Sequence, residues 1–326
     1  MPKSTYTSRA VVAVILALLT SILLAGFRYD SGAPAENASA DAAALAAETD
    51  AAIAAIKRVS LTTEGSILAA REQYDALPEE AKALVKKLDA LEKAERTLQT
   101  LKDQAAARQI KKLSDAGKHD DAIAFAEEYM AGRPLDEVQG QVVSNCLKAY
   151  VRKAAALMRQ GRCEESEALL LACRKTYSAV DTADVDRALA SLDRVIAEPK
   201  SGAILTNHAR GEYGAVTIRA GDAPALIKII GVGDESSYMT VSIRGGESAT
   251  VHIKDGNYRL RYATGEKWYG EAELFGTATR FYSVDTVLRF STDRVGNDIF
   301  SQRYDLALRA SPEGAAAAAV IPADQF

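Results

Sequence analysis

The spacing of apolar residues changes once along this chain, at Ser201, and that change limits what it can fold into more than any other feature. Before it, apolar residues recur every three to four positions: Ile53, Ile56 and Val59, then Ile67, Ala70, Tyr74 and Leu77, then Leu84, Leu88, Leu91, Leu98 and Leu101. After it the period is two, and short strands are marked by Val216 and Ile218, Ile227 and Ile229, Val241 and Ile243, Val251 and Ile253, Leu260 and Tyr262, Val287 and Arg289, and Tyr304, Leu306 and Leu308. The first period places one face of a helix in a core, the second one face of a strand. The expected chain is therefore multidomain, with an all-α stalk followed by an all-β antiparallel sandwich of at least seven short strands. Aromatic residues divide the same way, since thirteen of the twenty-one follow Ser201.

The N-terminus adds a third kind of segment. Residues 1–9 hold Lys3 and Arg9 and no acid, and Ala10–Phe27 runs eighteen residues without a charge. That length just spans a bilayer as a helix, and the acids Asp30, Glu36 and Asp41 beyond it place the N-terminus inside and the bulk outside. The expectation is a cytoplasmic tail (1–9), a single-pass transmembrane anchor (10–27) and a tether (28–47) that is small, polar and alanine-rich. The alternative is a secretion signal cut near Ala35, releasing the protein.

Residues 48–104 then read as a three-helix module, with Thr62 or Thr63 capping its second helix and Pro78, Glu79 and Glu80 opening its third. Residues 105–198 read as two helical hairpins. Gly117, Ala122 and Pro134 stand at the spacings that a tetratricopeptide repeat uses for its turn, its close helix contact and its closing proline. Around the second hairpin only Gly161 keeps its place, with Ser166 and Cys173 at small-residue positions. The two glycines are forty-four residues apart instead of thirty-four, so these are tetratricopeptide-like hairpins and not a regular array. The β-region is expected over 201–312, with 313–326 as a C-terminal tail.

Asp255-Gly256 is a two-residue turn signal. It predicts a hairpin pairing Ile253 with Tyr258, His252 with Arg259, Val251 with Leu260, Thr250 with Arg261 and Ala249 with Tyr262. Every apolar residue then shares one face, so Tyr258, Leu260 and Tyr262 belong to the core, and His252, Arg259 and Arg261 to the other side. Beyond Thr264 the alternation stops at TGEKWYGEAELFG, which holds the only tryptophan. Lys267, Trp268, Tyr269 and Phe275 are the candidate contacts to a ligand or partner. A flat, polar-tipped aromatic pair suits a sugar ring or a partner side chain. The structural reading makes Trp268 and Phe275 a plug on one end of the sandwich.

Chemistry is sparse. His119, His208 and His252 have no second ligand at metal spacing, and no nucleophile elbow, phosphate loop or dinucleotide fingerprint occurs. Asp234-Glu235 and Glu271-x-Glu273 lie beside Gly or Ser in expected loops and read as solvated acids. Cys163 and Cys173 share one helix, whereas Cys146 and Cys173 sit on facing helices and are the candidate disulfide, the alternative being three buried thiols. A net charge of −4 with interleaved signs carries no basic stripe along the sequence, so nucleic acid is set aside as a partner. Neither a cofactor nor a metal is implied.

Ser60–Glu95, through its Ala70–Glu80 run and Lys82-Ala83-Leu84-Val85, resembles a three-helix module of Gram-positive surface proteins, which implies location and spacing. Asp255–Tyr258, Tyr262–Gly265, Trp268–Gly270 and Phe275-Gly276 resemble a C-terminal β-module of secreted or membrane-anchored Gram-positive proteins, and more distantly the transthyretin-type sandwiches attached to carboxypeptidases. The expected function is that of a non-catalytic, membrane-anchored extracytoplasmic protein that binds a partner or associates with the envelope. The alternative is a cell-wall or glycan-binding module using loop 264–276.

Overall fold

The computed structural model describes residues 34–308 and 318–326, with side chains from Ser39. The expected anchor at 10–27 and the tail before it lie outside the described residues. Among those described, no helix is long and apolar enough to cross a membrane. The chain forms two compact units divided after Leu101.

The first unit contains α1 (Pro34–Ala54), α2 (Glu64–Asp75), the one-turn α3 (Glu79–Lys82) and the start of α4 (Leu88–Asp115). The segment expected to be a tether is thus helical from Pro34. Alanine has the highest helix propensity of any residue, and Ala42 and Ala46 are buried, so composition that reads as a linker here closes a core. Ala42 packs with Leu77 and Ala81, beside a larger cluster of Ile53, Ile67, Ala70, Leu91, Ala94 and Leu98. Pro78 does open a helical turn, but the third helix restarts at Leu88, where the Asp50 carboxylate accepts from the backbone N–H groups of Lys86 (3.1 Å) and Lys87 (2.9 Å). Arg71 forks onto Glu95 at 2.7 and 2.6 Å. The expected module boundary at 104 falls inside α4, which continues to Asp115.

In the second unit, α4 turns into α5 (His119–Met130), and α6 (Gly140–Arg159) turns into α7 (Cys163–Thr176), followed by α8 (Ala183–Val195). The two turns are the same. Gly117 and Gly161 have φ of 77° and 74°, which L side chains rarely adopt, and Lys118 and Arg162 each donate a backbone bond of 3.0 Å to the carbonyl five residues back. Ala122 and Ser166, at equivalent positions after the glycines, are fully buried, and Ser166 Oγ donates to the Ala154 carbonyl at 3.0 Å. Under α5, Asp103 accepts from Tyr129 Oη (2.6 Å), Arg133 (3.0 Å) and the Gln139 N–H (3.1 Å), so this buried carboxylate is held by three donors.

The β-region has eleven strands among the described residues: β1 (Ala203–Asn207), β2 (Arg210–Arg219), β3 (Ala225–Gly231), β4 (Asp234–Ile243), β5 (Ser248–Ile253), β6 (Gly256–Thr264), β7 (Arg280–Phe290), β8 (Thr292–Val295), β9 (Asp298–Ser301), β10 (Arg303–Ala307) and β11 (Ala318–Ile321). Six form a sheet in the order β1-β4-β3-β6-β7-β11, three a sheet β10-β2-β5, and β8 and β9 a small ribbon. All pairs are antiparallel except β10 with β2, which run parallel. One buried cluster takes Val216, Ile218, Val251 and Ile253 from the smaller sheet and Ile227, Ile229, Met239, Val241, Leu260 and Val284 from the larger.

Two expectations fail here. The first is the hairpin at Asp255-Gly256. Strand β5 pairs with β2, and β6 pairs with β3 and β7, so the chain at this turn crosses from one sheet to the other. Gly256, at φ 151° and with the Tyr258 ring 3.1 Å from where a Cβ would sit, makes that crossing. The expected faces survive, with Ile253, Tyr258, Leu260 and Tyr262 buried and His252 and Arg259 exposed, although Arg261 is half-buried instead of exposed. The second is the C-terminal tail. Residues 318–321 form β11 against β7, and Lys228 Nζ donates to the Phe326 carbonyl at 2.7 Å while lying over the Tyr238 and Phe326 rings.

Candidate functional site

Loop 265–279, which carries the candidate contact residues, leaves β6 and turns back onto the outer face of the larger sheet. Gly265 begins it because a Cβ there would lie 2.3 Å from the Phe275 Cβ. Trp268 and Phe275 meet edge to face, with centroids 5.5 Å apart and planes at 70°. Leu226 and Ala263 of the sheet and the side chains of Leu205, Leu274, Phe281 and Phe326 complete their cluster. Trp268 is 5% exposed and Phe275 3%, so neither ring offers an open face. Leu274 has φ 54°, a conformation costing on the order of 1–2 kcal/mol for a side-chain-bearing residue. The hydrogen bonds Tyr269 N–H to Leu274 O and Leu274 N–H to Gly270 O, both 2.7 Å, hold it there.

The other half of the loop docks onto α7. Tyr269 packs against Cys163, Leu192 and Ile196, and its hydroxyl donates to Glu167 Oε2 at 2.9 Å. Burial, then that bond, pushes the phenol up to about 12. Lys267 pairs with Glu167 and lies 5.6 Å over the Tyr269 ring. Glu273 places its carboxylate at the N-terminus of α7, accepting from the backbone N–H groups of Cys163 and, at 3.1 Å, Glu164. These are among the four N–H groups a helix leaves unpaired, and the helix dipole favours an anion there. Glu164 reaches the opposite way, accepting from the Thr277 N–H and hydroxyl, both at 2.8 Å. Gly276, at φ 67°, lets the loop pass within contact of that carboxylate.

The loop is therefore a clasp. It joins the sheets to the hairpins through reciprocal carboxylate contacts, and a second set secures the connecting segment, where the Arg244 guanidinium donates to the carbonyls of Glu198 (3.1 Å) and Pro199 (3.2 Å). The hairpins and the β-region expected as separate domains are one compact unit. All four candidate residues come together, but against this chain's own surface. Glu273, read as a solvated acid, caps a helix. Its signal in the sequence was indirect: Gly161-Arg162 followed by acids at 164 and 165 marks a helix start, and nothing marks what reaches it.

The cysteines are three buried free thiols, and the candidate disulfide of Cys146 with Cys173 is not formed. Cys146 Sγ lies 3.4 Å from Tyr177 Oη, in a core too apolar for thiolates: burial pushes Cys146 up to about 11 and Cys173 to about 12. Among the described residues no group of three or more His, Cys, Asp or Glu side chains is placed to hold a metal ion.

A second surface was not anticipated. Helix α6 carries Lys148, Arg152, Lys153 and Arg159 and no acid. It lies beside α4, where Asn145 Nδ2 donates to the Ala107 carbonyl (2.8 Å) and Arg152 to Ser114 Oγ (3.0 Å) and Asp115 (2.6 Å). Gln104, Ala107, Arg108, Lys111, Gln139, Gln141 and Asn145 line a recess of about 240 Å³ at this seam. The sequence hid this face because the basic residues of the two helices are separated along the chain by the acids of α5 and the loop after it.

No protein-family model matches the chain, and neither a curated protein nor a solved structure was found to be similar to it.

Proposed function

We propose that this chain is a non-catalytic, membrane-anchored extracytoplasmic protein that works through its surface, as an interaction or envelope-associated factor. The clasp carries the reading: the loop richest in binding-type side chains uses them to fix the sheets on the hairpins, which leaves a rigid body presenting faces and no aromatic cleft. The two sheets sharing one core are read here as a sandwich. The uncharged run Ala10–Phe27, with bases before it and acids after it, supports the anchor. The β-module and three-helix resemblances favour the same side of the membrane.

Fractionation tests it. A C-terminally tagged protein should stay with membranes through high salt and carbonate, and protease added to intact protoplasts should remove the tag. Release of a mature form beginning near Glu36 would replace the anchor with a secretion signal.

A further inference from the structure

We propose that the face shared by α4 and α6 binds a linear phosphodiester polyanion of the kind found in bacterial envelopes. The two helices run parallel, because in each hydrogen bond between them the α6 residue lies thirty-seven or thirty-eight positions after its α4 partner, Asn145 to Ala107 and Arg152 to Ser114 and Asp115. That offset sets Lys111 level with Lys148, and Arg108 just before them. Lys148, Arg152 and Arg159 follow each other at intervals of four and seven, so they share the α6 stripe that borders the seam. Arg108, Lys111, Lys148, Arg152 and Arg159 thus form a track about 20 Å long at 1.5 Å per residue. All five are exposed.

Their partners decide the argument. Asp115 is the acid on this face, and it already pairs with both Lys111 and Arg152. Arg108 and Lys148 make no ion pair among the described residues, and Arg159 bonds only the Ala155 carbonyl of its own helix at 3.2 Å. A protein of net charge −4 therefore holds a track of five cations with one acid, Asp115, to match them. Exposed arginines favour phosphate, which takes their forked N–H groups two at a time.

An acidic peptide would also satisfy charge, but tight peptide recognition uses aromatic or large aliphatic anchors, and this face has small residues between its cations: Ala107, Ala155 and the buried Asn145. Single-stranded nucleic acid is disfavoured for the same reason, since its bases stack on exposed aromatic platforms, and here Tyr150 is buried and the His119 ring, 3.5 Å from Ser114 Oγ, is half-buried. What fits is a chain that is all charge and no side chain. The biological setting rests on the extracytoplasmic reading, but the binding test does not, so either can fail without the other.

The purified full-length protein in uncharged detergent is titrated with synthetic poly(glycerol phosphate), with polyglutamate of matched charge and with inorganic phosphate. Saturable binding to the phosphate polymer is expected, weakening about 50-fold between 50 and 200 mM salt if about four phosphates are contacted. R108Q/K148Q/R159Q should weaken it at least tenfold and flatten the salt slope by about 1 per residue replaced. Lys175→Gln on α7 should leave it unchanged, and thermal melts show whether each variant is folded. Polyglutamate binding as tightly as the polymer, inorganic phosphate competing at equal phosphate concentration, no binding at all, or a folded triple variant with parental affinity would each overturn the assignment.

Discussion

Loop 265–279 and the α4–α6 face make opposite use of their side chains. The loop concentrates aromatic rings, a lysine and glutamates, and its rings, its lysine and Glu273 have partners within the chain: Trp268 on Phe275, Tyr269 and Lys267 on Glu167, Glu273 on the α7 N-terminus, while Glu266 and Glu271 stay exposed. Among the described residues the helical face has no exposed ring, and its Arg108 and Lys148 make no ion pair. Conspicuous residue types mark where free energy is already committed, and a capacity to bind is better sought where polar groups are exposed without partners. The variants below separate the two surfaces by what they do to stability.

Replacing Trp268 should have the largest effect. Trp268→Ala empties the cluster over the outer face of the larger sheet and should destabilise the second unit by about 3–5 kcal/mol. The parent tryptophan should emit in the blue and resist iodide quenching, since it is 5% exposed. A folded Trp268→Ala protein of parental stability would break the comparison and return the ring to the list of contacts for a sugar. Leu260→Ala, in the β-core at 0% exposure, belongs to the same class and should cost about 2–5 kcal/mol.

Next comes the clasp proper. Glu273→Ala leaves the first amides of α7 without their acceptor, a loss of about 0.5–2 kcal/mol by comparison with other N-terminal caps. Glu273→Gln keeps an acceptor oxygen and removes the charge that the helix dipole favours, so it should cost less. Equal melting midpoints for both variants and the parent would show that the contact contributes nothing and that the sheets are held by packing alone.

Alkali should act on the same interior. Cys146, Cys173, Tyr262 and Tyr269 are protonated in the fold, and burial raises each of them, to about 11 or 12. A raised value means the folded state holds its proton more tightly than the unfolded chain. The contribution is therefore complete below about pH 8.5, where unfolded thiols begin to ionise, and is lost as pH rises through 11 to 12. Thermal melts between pH 8 and 11 should show a falling midpoint, and Cys173→Ala should flatten the fall at its lower end.

How much of this was legible follows from what each signal encodes. Alternation at Val251, Ile253, Tyr258, Leu260 and Tyr262 reports which side chains face a core, and it was right about every one of them. It carries no information on strand partners, because two strands of one hairpin and two strands facing each other across a core show the same alternation. The glycines at 117 and 161 were legible because a left-handed turn requires that residue type at one position. The tether was misread because alanine signals both weak composition and strong helix. Nothing local marks Glu273 as the partner of amides 109 and 110 residues earlier in the chain. The cation track was equally hidden, since it exists only once α4 and α6 lie parallel.

The smallest stability effect is expected where the largest functional one is. Lys148 is exposed and makes no ion pair or hydrogen bond among the described residues, and Arg159 there bonds only its own helix, so Lys148→Gln and Arg159→Gln should each shift stability by less than about 0.5 kcal/mol. Glutamine keeps a long side chain with helix propensity close to that of lysine and arginine, which leaves charge as the main change. Relieving repulsion along an acid-free helix even favours a slight gain at low salt, fading as salt screens the track. If either variant instead lost stability on the scale of Trp268→Ala, these cations would be structural, and the distinction between a surface that is satisfied and one that is available would fail.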